Sequence, residues 1–96
     1  MEEKKIQKPE KKYLKRYTNK KFRRELGKHL RMIRKERNLG IEEVNKRAYL
    51  SKNHLIRIER ADSNVTIGTL YSLSLVYNIS LSDIFNFEFT TNEIHY

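Results

Sequence analysis

The sequence predicts an all-α domain of five helices, preceded by a basic arm and followed by a short segment that alternates like a strand. Apolar residues recur every three or four positions between residues 22 and 85, as they do in amphipathic helices. Turn-forming and helix-capping residues interrupt this period at several points. The chain has 96 residues, which is enough for one small domain but not for a second hydrophobic core.

The composition excludes several classes of protein. Apolar residues make up 38% of the chain and the mean hydropathy is −0.83, so no segment approaches the roughly 20 apolar residues of a membrane helix. The charged start of the chain lacks the apolar region of a secretory signal, which predicts a cytoplasmic protein. The chain has no Cys and its three His are scattered, so we expect no disulfide, no metal site and no cofactor.

The charge is distributed unevenly. Residues 1–24 contain eleven Lys and Arg against three Glu, whereas residues 61–96 contain four acidic residues and no Lys or Arg. The net charge is +9, and this asymmetry favours a polyanion, with nucleic acid as the natural candidate, at the N-terminal two-thirds of the chain. A solubilising tail explains residues 1–21 equally well, and an anionic membrane is a third alternative.

The first three helices follow from apolar spacing. Phe22, Leu26, Leu30 and Ile33 share one face of a first helix over about residues 20–36, and Asn38 and Gly40 then suit a turn. Ile41, Val44 and Ala48 mark a short second helix that ends near Ala48. Three residues later Ser51 offers a capping hydroxyl for a third helix over about residues 52–60, which buries Leu55 and Ile58.

The remaining chain predicts two further helices and a tail. Ile67, Leu70, Leu73 and Tyr77 mark the fourth helix, which Asn78 ends, and the capping pattern of Ser80 and Asp83 introduces the fifth. Residues 87–92 alternate like a strand, which must either fray or pair with a second copy. The predicted organisation is therefore an arm over residues 1–20, a domain over residues 21–86 and a tail over residues 87–96 that serves as a dimerisation strand if it pairs.

Two short helices joined by a tight turn, in a small basic domain, have the geometry that places the second helix in the major groove of DNA. Five sequence blocks in register strengthen this reading. They are LGKHLRMIR at 26–34, LGIEEVN at 39–45, YLSKNHLIRIERA at 49–61, VTIGTL at 65–70 and ISLSDIF at 79–85. In these blocks the chain resembles the phage-repressor and Cro-like helix-turn-helix family, the XRE-type transcriptional regulators, over about two-thirds of its length. The resemblance implies a lambda-repressor-like fold.

The resemblance also implies a set of DNA contacts. Ser51 would cap the recognition helix and reach a phosphate, while Lys52, Asn53 and Arg57 would read base edges, with His54 beside them. Arg and Lys suit guanine and Asn suits adenine, although an ordinary solvated helix face would also carry these residues. Arg34 and Glu59 correspond to a pair that in the family bridges the first and third helices. Two further phosphate-contact candidates are Arg34 itself and Arg60, which is equally well explained as exposed surface.

Several positions depart from the family pattern. Ile41 stands where a hydrogen-bonding residue usually meets a phosphate, and Asn45 replaces the small Ala between the second and third helices. Tyr49 occupies the position of the left-handed turn Gly, where a bulky side chain costs about 1 kcal/mol. Apolar Ile41 and Tyr49 would fit a protein interface, so the alternative to DNA reading is a protein-interaction module such as an antitoxin.

The leading functional hypothesis is a sequence-specific transcriptional regulator that binds double-stranded DNA as a homodimer on a palindromic operator. The dimer contacts expected from the sequence lie on the fifth helix and the tail, at Phe85, Phe87 and Phe89. Non-specific nucleic-acid binding through the arm is a further alternative. An enzyme is not expected, because no His lies in a motif that would activate a nucleophile and the three Gly form no phosphate loop.

Overall fold

The computed structural model describes the backbone of residues 11–88 and the side chains of residues 20–88. Within this range the chain is entirely helical apart from its connections, which confirms the all-α, five-helix prediction. The helices are α1 (Lys11–Glu36), α2 (Ile41–Arg47), α3 (His54–Glu59), α4 (Ile67–Tyr77) and α5 (Leu81–Ile84).

The first helix begins earlier than the sequence predicts. It starts at Lys11 instead of about residue 20, so residues 11–20 of the predicted arm are helical, and residues 1–10 lie outside the described residues. The apolar period misses this segment because it has too few apolar residues to form a stripe. Extending α1 toward its N-terminus nevertheless costs little free energy, because each residue added to a formed helix gains a backbone hydrogen bond without a new nucleation cost.

Three helix ends follow the predicted turn and capping signals. Asn38 takes a left-handed conformation (φ 55°) after α1, and Asn78 (φ 58°) ends α4. Before α5, the Asp83 backbone N–H donates to Ser80 Oγ at 3.0 Å and the Ser80 N–H donates to Asp83 Oδ2 at 3.2 Å, which completes the predicted capping box. Gly40, in contrast, is extended (φ −85°), and it precedes α2 without making a left-handed turn.

One core joins all five helices. Its buried apolar residues include nearly all of those predicted from the helical period, namely Leu26, Leu30, Ile33, Val44, Ala48, Leu55, Ile58, Leu70, Leu73, Tyr77 and Ile84. The exceptions are Phe22 and Ile41, which are only partly buried against this core, and Ile67, which is 67% exposed at the first residue of α4. The packing places α3 against α1 and α2, and it places α4 against α2 and α5. The solvent-facing side of α3 is therefore left uncovered by the other described helices.

Candidate DNA interface

The turn between α2 and α3 is longer than the sequence predicts. Six residues, 48–53, separate the two helices, and two of them, Tyr49 (φ 57°) and Asn53 (φ 68°), have left-handed backbones. The helix therefore begins at His54, and its cap position is Asn53, whose side chain makes no capping bond. Ser51 is not the cap that the sequence predicts, because the left-handed backbone of Asn53 breaks the helical path between Ser51 and the helix.

Asn45, which lies in the neighbouring helix α2, caps α3 with its side chain. Its side chain is buried in α2, and its Oδ1 accepts a hydrogen bond from the Leu55 backbone N–H at 3.3 Å. Leu55 lies in the first turn of α3, where backbone N–H groups have no partner within the helix. The Asn that departs from the family pattern thus links α2 to α3 by a hydrogen bond.

A buried ion pair fixes the far end of α3. Arg34 Nε and Nη2 donate to the two carboxylate oxygens of Glu59 at 2.8 and 3.0 Å, and Arg34 Nη1 donates to the Leu39 carbonyl at 2.9 Å. The side chains of Arg34 and Glu59 are 9% and 4% exposed. Hydrogen bonding to Glu59 raises the pKa of Arg34, which keeps the guanidinium protonated. This bidentate contact holds α1, the residues before α2 and the end of α3 together.

These contacts change the role of Arg34. The sequence places it both in the ion pair and among the phosphate contacts, but all three of its guanidinium nitrogens donate inside the protein. This guanidinium is nearly buried and three of its five N–H groups are engaged within the protein, so its main role is to position α3. We therefore leave Arg34 out of the DNA contacts proposed below.

The other predicted contact residues lie on one open surface. Ser51, Lys52, Asn53, Arg57 and Arg60 are exposed, and His54 is half-buried. Asn53 and Arg57 are one helical turn apart, because the Arg57 backbone N–H donates to the Asn53 carbonyl at 3.2 Å. Lys52 and Asn53 precede the helix, so the single helix face predicted for these side chains is instead a surface of turn and helix. No side-chain hydrogen bond or ion pair engages any of the six within the described part of the chain.

A shallow groove runs beside this surface. It has a volume of about 290 Å³, and its lining includes Arg31 of α1, Arg60 and the apolar side chains of Ile41 and Ile56. Arg31 and Arg60 are both exposed. Sequence reasoning did not single out Arg31, although its spacing of three residues before Arg34 puts the two at neighbouring positions on the helix.

Comparison with known families agrees with this geometry. A family model described as helix-turn-helix matches residues 30–84, which is more than half of the chain. The chain belongs to the XRE-type helix-turn-helix family. Membership makes it a DNA-binding regulator of transcription. A search of curated proteins gave no match.

The helix-turn-helix unit has one unusually exposed side chain. Tyr49 is 96% exposed, and its left-handed backbone confirms that a Tyr stands where the turn requires a positive φ. Ile41, the other apolar departure, is partly buried against the core. The structure therefore does not present these two residues as one exposed apolar patch.

Substitution of the turn residue tests the strain. We expect Tyr49→Gly to raise the free energy of unfolding by about 1 kcal/mol, because Gly adopts positive φ without the steric cost of a Cβ. Urea denaturation measures this change. The matched control is Asn38→Gly at another left-handed position (φ 55°), where Asn already tolerates the conformation and we expect a smaller gain. A loss of stability in Tyr49→Gly would contradict the strain argument.

The predicted dimerisation residues have different surroundings. Phe87 packs within the chain, with its ring 5.7 Å from the ring of Phe22 and 5.4 Å from that of His29, while His29 Nε2 lies 3.0 Å from the Asp83 carbonyl. Residues 87 and 88 form no strand, and Phe89 lies outside the described residues with the rest of the tail. Phe85 remains on the surface and is 40% exposed.

Neither a membrane segment nor a metal cluster is found in the part of the chain that the structure describes. No helix there is both long and apolar enough to cross a bilayer. The same residues contain no group of three or more His, Cys, Asp or Glu side chains arranged to hold a metal ion.

Proposed function

We propose that this protein is a sequence-specific regulator of transcription that reads DNA with Asn53 and Arg57. The observation that carries the proposal is the open surface at α3, where these two side chains are exposed and free of partners while the helix behind them is fixed. Arg forms paired hydrogen bonds with guanine and Asn forms them with adenine in the major groove. Lys52 and His54 lie beside them and complete the base-reading set.

Phosphate contacts position such a helix on the duplex. We propose that Arg31, Arg60 and the unpartnered hydroxyl of Ser51 supply them. Arg31 and Arg60 line the groove beside α3, and Ile41 also lines it. Ile41 cannot hydrogen-bond to a phosphate, and two guanidinium groups at the groove compensate for that loss.

The helix that would read DNA, α3, is short, which favours a homodimer. Helix α3 has only six residues, and it can contact only a few base pairs. Two copies related by a two-fold axis would read a palindromic operator with half-sites one helical turn apart. The larger contact raises specificity, because each correct base pair adds its own share of discrimination.

Selection of bound sites from a random duplex pool at about physiological salt tests the proposal. We expect an enriched palindrome. Binding that shows no enrichment and disappears as the salt concentration rises would contradict base reading, because phosphate contacts alone depend on salt and not on sequence.

Substitution of Arg57 identifies the base contact. We expect Arg57→Ala to weaken binding to the selected site by about 1–3 kcal/mol and to relax the preference at one base pair. The control is Arg24→Ala, which removes an exposed arginine of α1 and should weaken binding to all sequences alike. Competition titrations against selected and scrambled duplexes measure both effects. Equal losses on both duplexes for Arg57→Ala would overturn the assignment.

A protein-interaction module is the second candidate function, and Tyr49 is the observation that favours it. An aromatic side chain that is 96% exposed on a left-handed residue gains nothing from packing within the described chain. An interface with a protein such as a toxin would explain its presence. If this function is the correct one, Tyr49→Ala should abolish partner binding while DNA selection yields no enriched site.

A further inference from the structure

Helix α4 carries three large apolar side chains on its outer face. Ile67, Tyr71 and Leu75 are 67%, 54% and 64% exposed, and they follow one another at intervals of four residues. We call these three residues the α4 stripe. Leu70 and Leu73 of the same helix are buried in the core, so α4 carries apolar side chains on its exposed side as well as on its buried side. A contiguous apolar patch exposed on a small soluble domain is typical of an interaction site.

Gly68 lies beside the stripe, in the first turn of α4, and nothing within the described chain requires a glycine there. A Cβ added to it would meet only Thr66 Oγ1, at 3.9 Å. Gly lowers helix stability relative to Ala, so a glycine inside a helix usually serves a close approach. The surface at Gly68 is open, and the approach it permits is from outside the chain.

The charge distribution restricts what can cover the stripe. Helix α4 contains no Asp, Glu, Lys or Arg, and residues 61–96 contain no Lys or Arg at all. A nucleic acid would find no cation on this face. Residues 1–60 carry a net charge of +13, so two copies that meet through their N-terminal parts repel each other. Contact through α4 brings together the surfaces with the least like charge.

The order of residues in the stripe also suits a two-fold axis. Ile67 and Leu75 lie four residues on either side of Tyr71. When two α4 helices meet antiparallel, Tyr71 faces the partner's Tyr71, and Ile67 faces the partner's Leu75. A surface that matches itself in this way is what a symmetric dimer requires.

We infer that the α4 stripe docks on the same stripe of a second copy and forms the homodimer. This inference rests on the proposed function for the role of the dimer, and it moves the interface from Phe85, Phe87 and Phe89 to α4. Because α4 packs on α2 and α5 while α3 packs on α1 and α2, the contact leaves Asn53 and Arg57 free in each copy.

Sedimentation equilibrium of the full-length chain without DNA tests the interface. We expect a dimer whose dissociation constant rises at least about 30-fold in Leu75→Arg, because the change puts a charge opposite the partner's apolar Ile67. Met32→Arg alters an apolar side chain of α1 that is 47% exposed, and it should leave the dissociation constant within about twofold. Circular dichroism of each variant verifies that it is folded.

Crosslinking supplies a second measurement that does not depend on weakening the dimer. The chain has no Cys, so Tyr71→Cys introduces a single thiol at the proposed two-fold axis. A short thiol–thiol crosslinker should join two copies of this variant in high yield. Met32→Cys, away from α4, should give little covalent dimer at the same protein concentration.

Several outcomes would overturn the interface. A chain that remains monomeric, as expected if other residues of the same chain or a different protein cover the stripe, would do so. Loss of the dimer in Phe85→Arg but not in Leu75→Arg would return the interface to the fifth helix and the tail.

The tests also separate the two proposals. If Leu75→Arg abolishes the dimer while no palindrome is selected, the interface holds and the DNA-reading proposal fails. If an enriched palindrome is selected and Leu75→Arg binds it as tightly as the wild type does, the DNA-reading proposal holds and the interface fails.

Discussion

Replacement of Glu59 by Ala should lower the free energy of unfolding by about 3–5 kcal/mol. The change leaves Arg34 as a nearly buried cation whose two hydrogen bonds to the carboxylate are lost, and an unpaired buried charge is far more costly than an unpaired exposed one. Such a loss is a large part of the stability of a small domain. Urea denaturation at neutral pH measures it, and thermal unfolding should show a fall of about 12 °C or more.

An exposed ion pair of the same chemistry provides the control. Arg47 Nε lies 2.6 Å from Glu43 Oε2 in α2, but these side chains are 54% and 48% exposed. Glu43→Ala should cost less than about 0.5 kcal/mol, because water and salt screen the pair. The double variant Arg34→Met with Glu59→Leu should recover most of the loss, since it leaves no charge to bury. A double variant as unstable as Glu59→Ala would contradict this explanation.

The helices and most of the core could be predicted from the sequence, because each depends on local signals. The period of the apolar residues identifies the buried faces, and the Ser80 and Asp83 pair marks the start of α5 by hydrogen bonds three residues apart. The pairing of Arg34 with Glu59 is different, because 25 residues separate the two. It follows from the family resemblance, and nothing in the local sequence of either residue indicates it.

The features that the sequence does not predict depend on contacts between distant elements. By sequence alone Asn45 is only a departure from the family pattern, and it is the fold that places its side chain against the first turn of α3. Ile67 fits the buried period of α4 by spacing, yet it lies on the face that no other described helix covers. Phe87 alternates with its neighbours like a strand residue, but its ring packs against α1. In each case the packing partner decides the outcome, and a single sequence does not specify that partner.

Gly27 is a further residue whose role depends on tertiary contact. It lies inside α1, and a Cβ added there would lie 2.5 Å from the Glu59 carbonyl oxygen and 2.8 Å from that of Ile58. These atoms belong to the backbone of α3, so no change of side-chain rotamer can relieve the overlap. Gly27 therefore sets how closely α1 approaches the end of the recognition helix, beside the carboxylate that Arg34 holds.

We expect Gly27→Ala to lower the free energy of unfolding by about 2 kcal/mol, because overpacking of this kind typically costs 1–3 kcal/mol. Gly68→Ala is the matched control, since both glycines lie inside helices and Ala improves helix propensity at both. At Gly68 the added Cβ meets no atom closer than 3.9 Å, so stability should rise by up to about 1 kcal/mol. Urea denaturation at a protein concentration below the dimer dissociation constant compares the two, and opposite signs are expected.

The same substitution should also impair DNA reading in the folded protein. Relief of the overlap requires α1 and the end of α3 to move apart. This movement lengthens the hydrogen bonds between Arg34 and Glu59, and it changes the angle at which Arg57 enters the major groove of DNA. The effects of Gly27→Ala and Glu59→Ala should therefore not add, because both act on one contact. The double variant should lose less stability than the sum of the single losses. Strict additivity would mean that the close approach at Gly27 and the ion pair hold α3 independently.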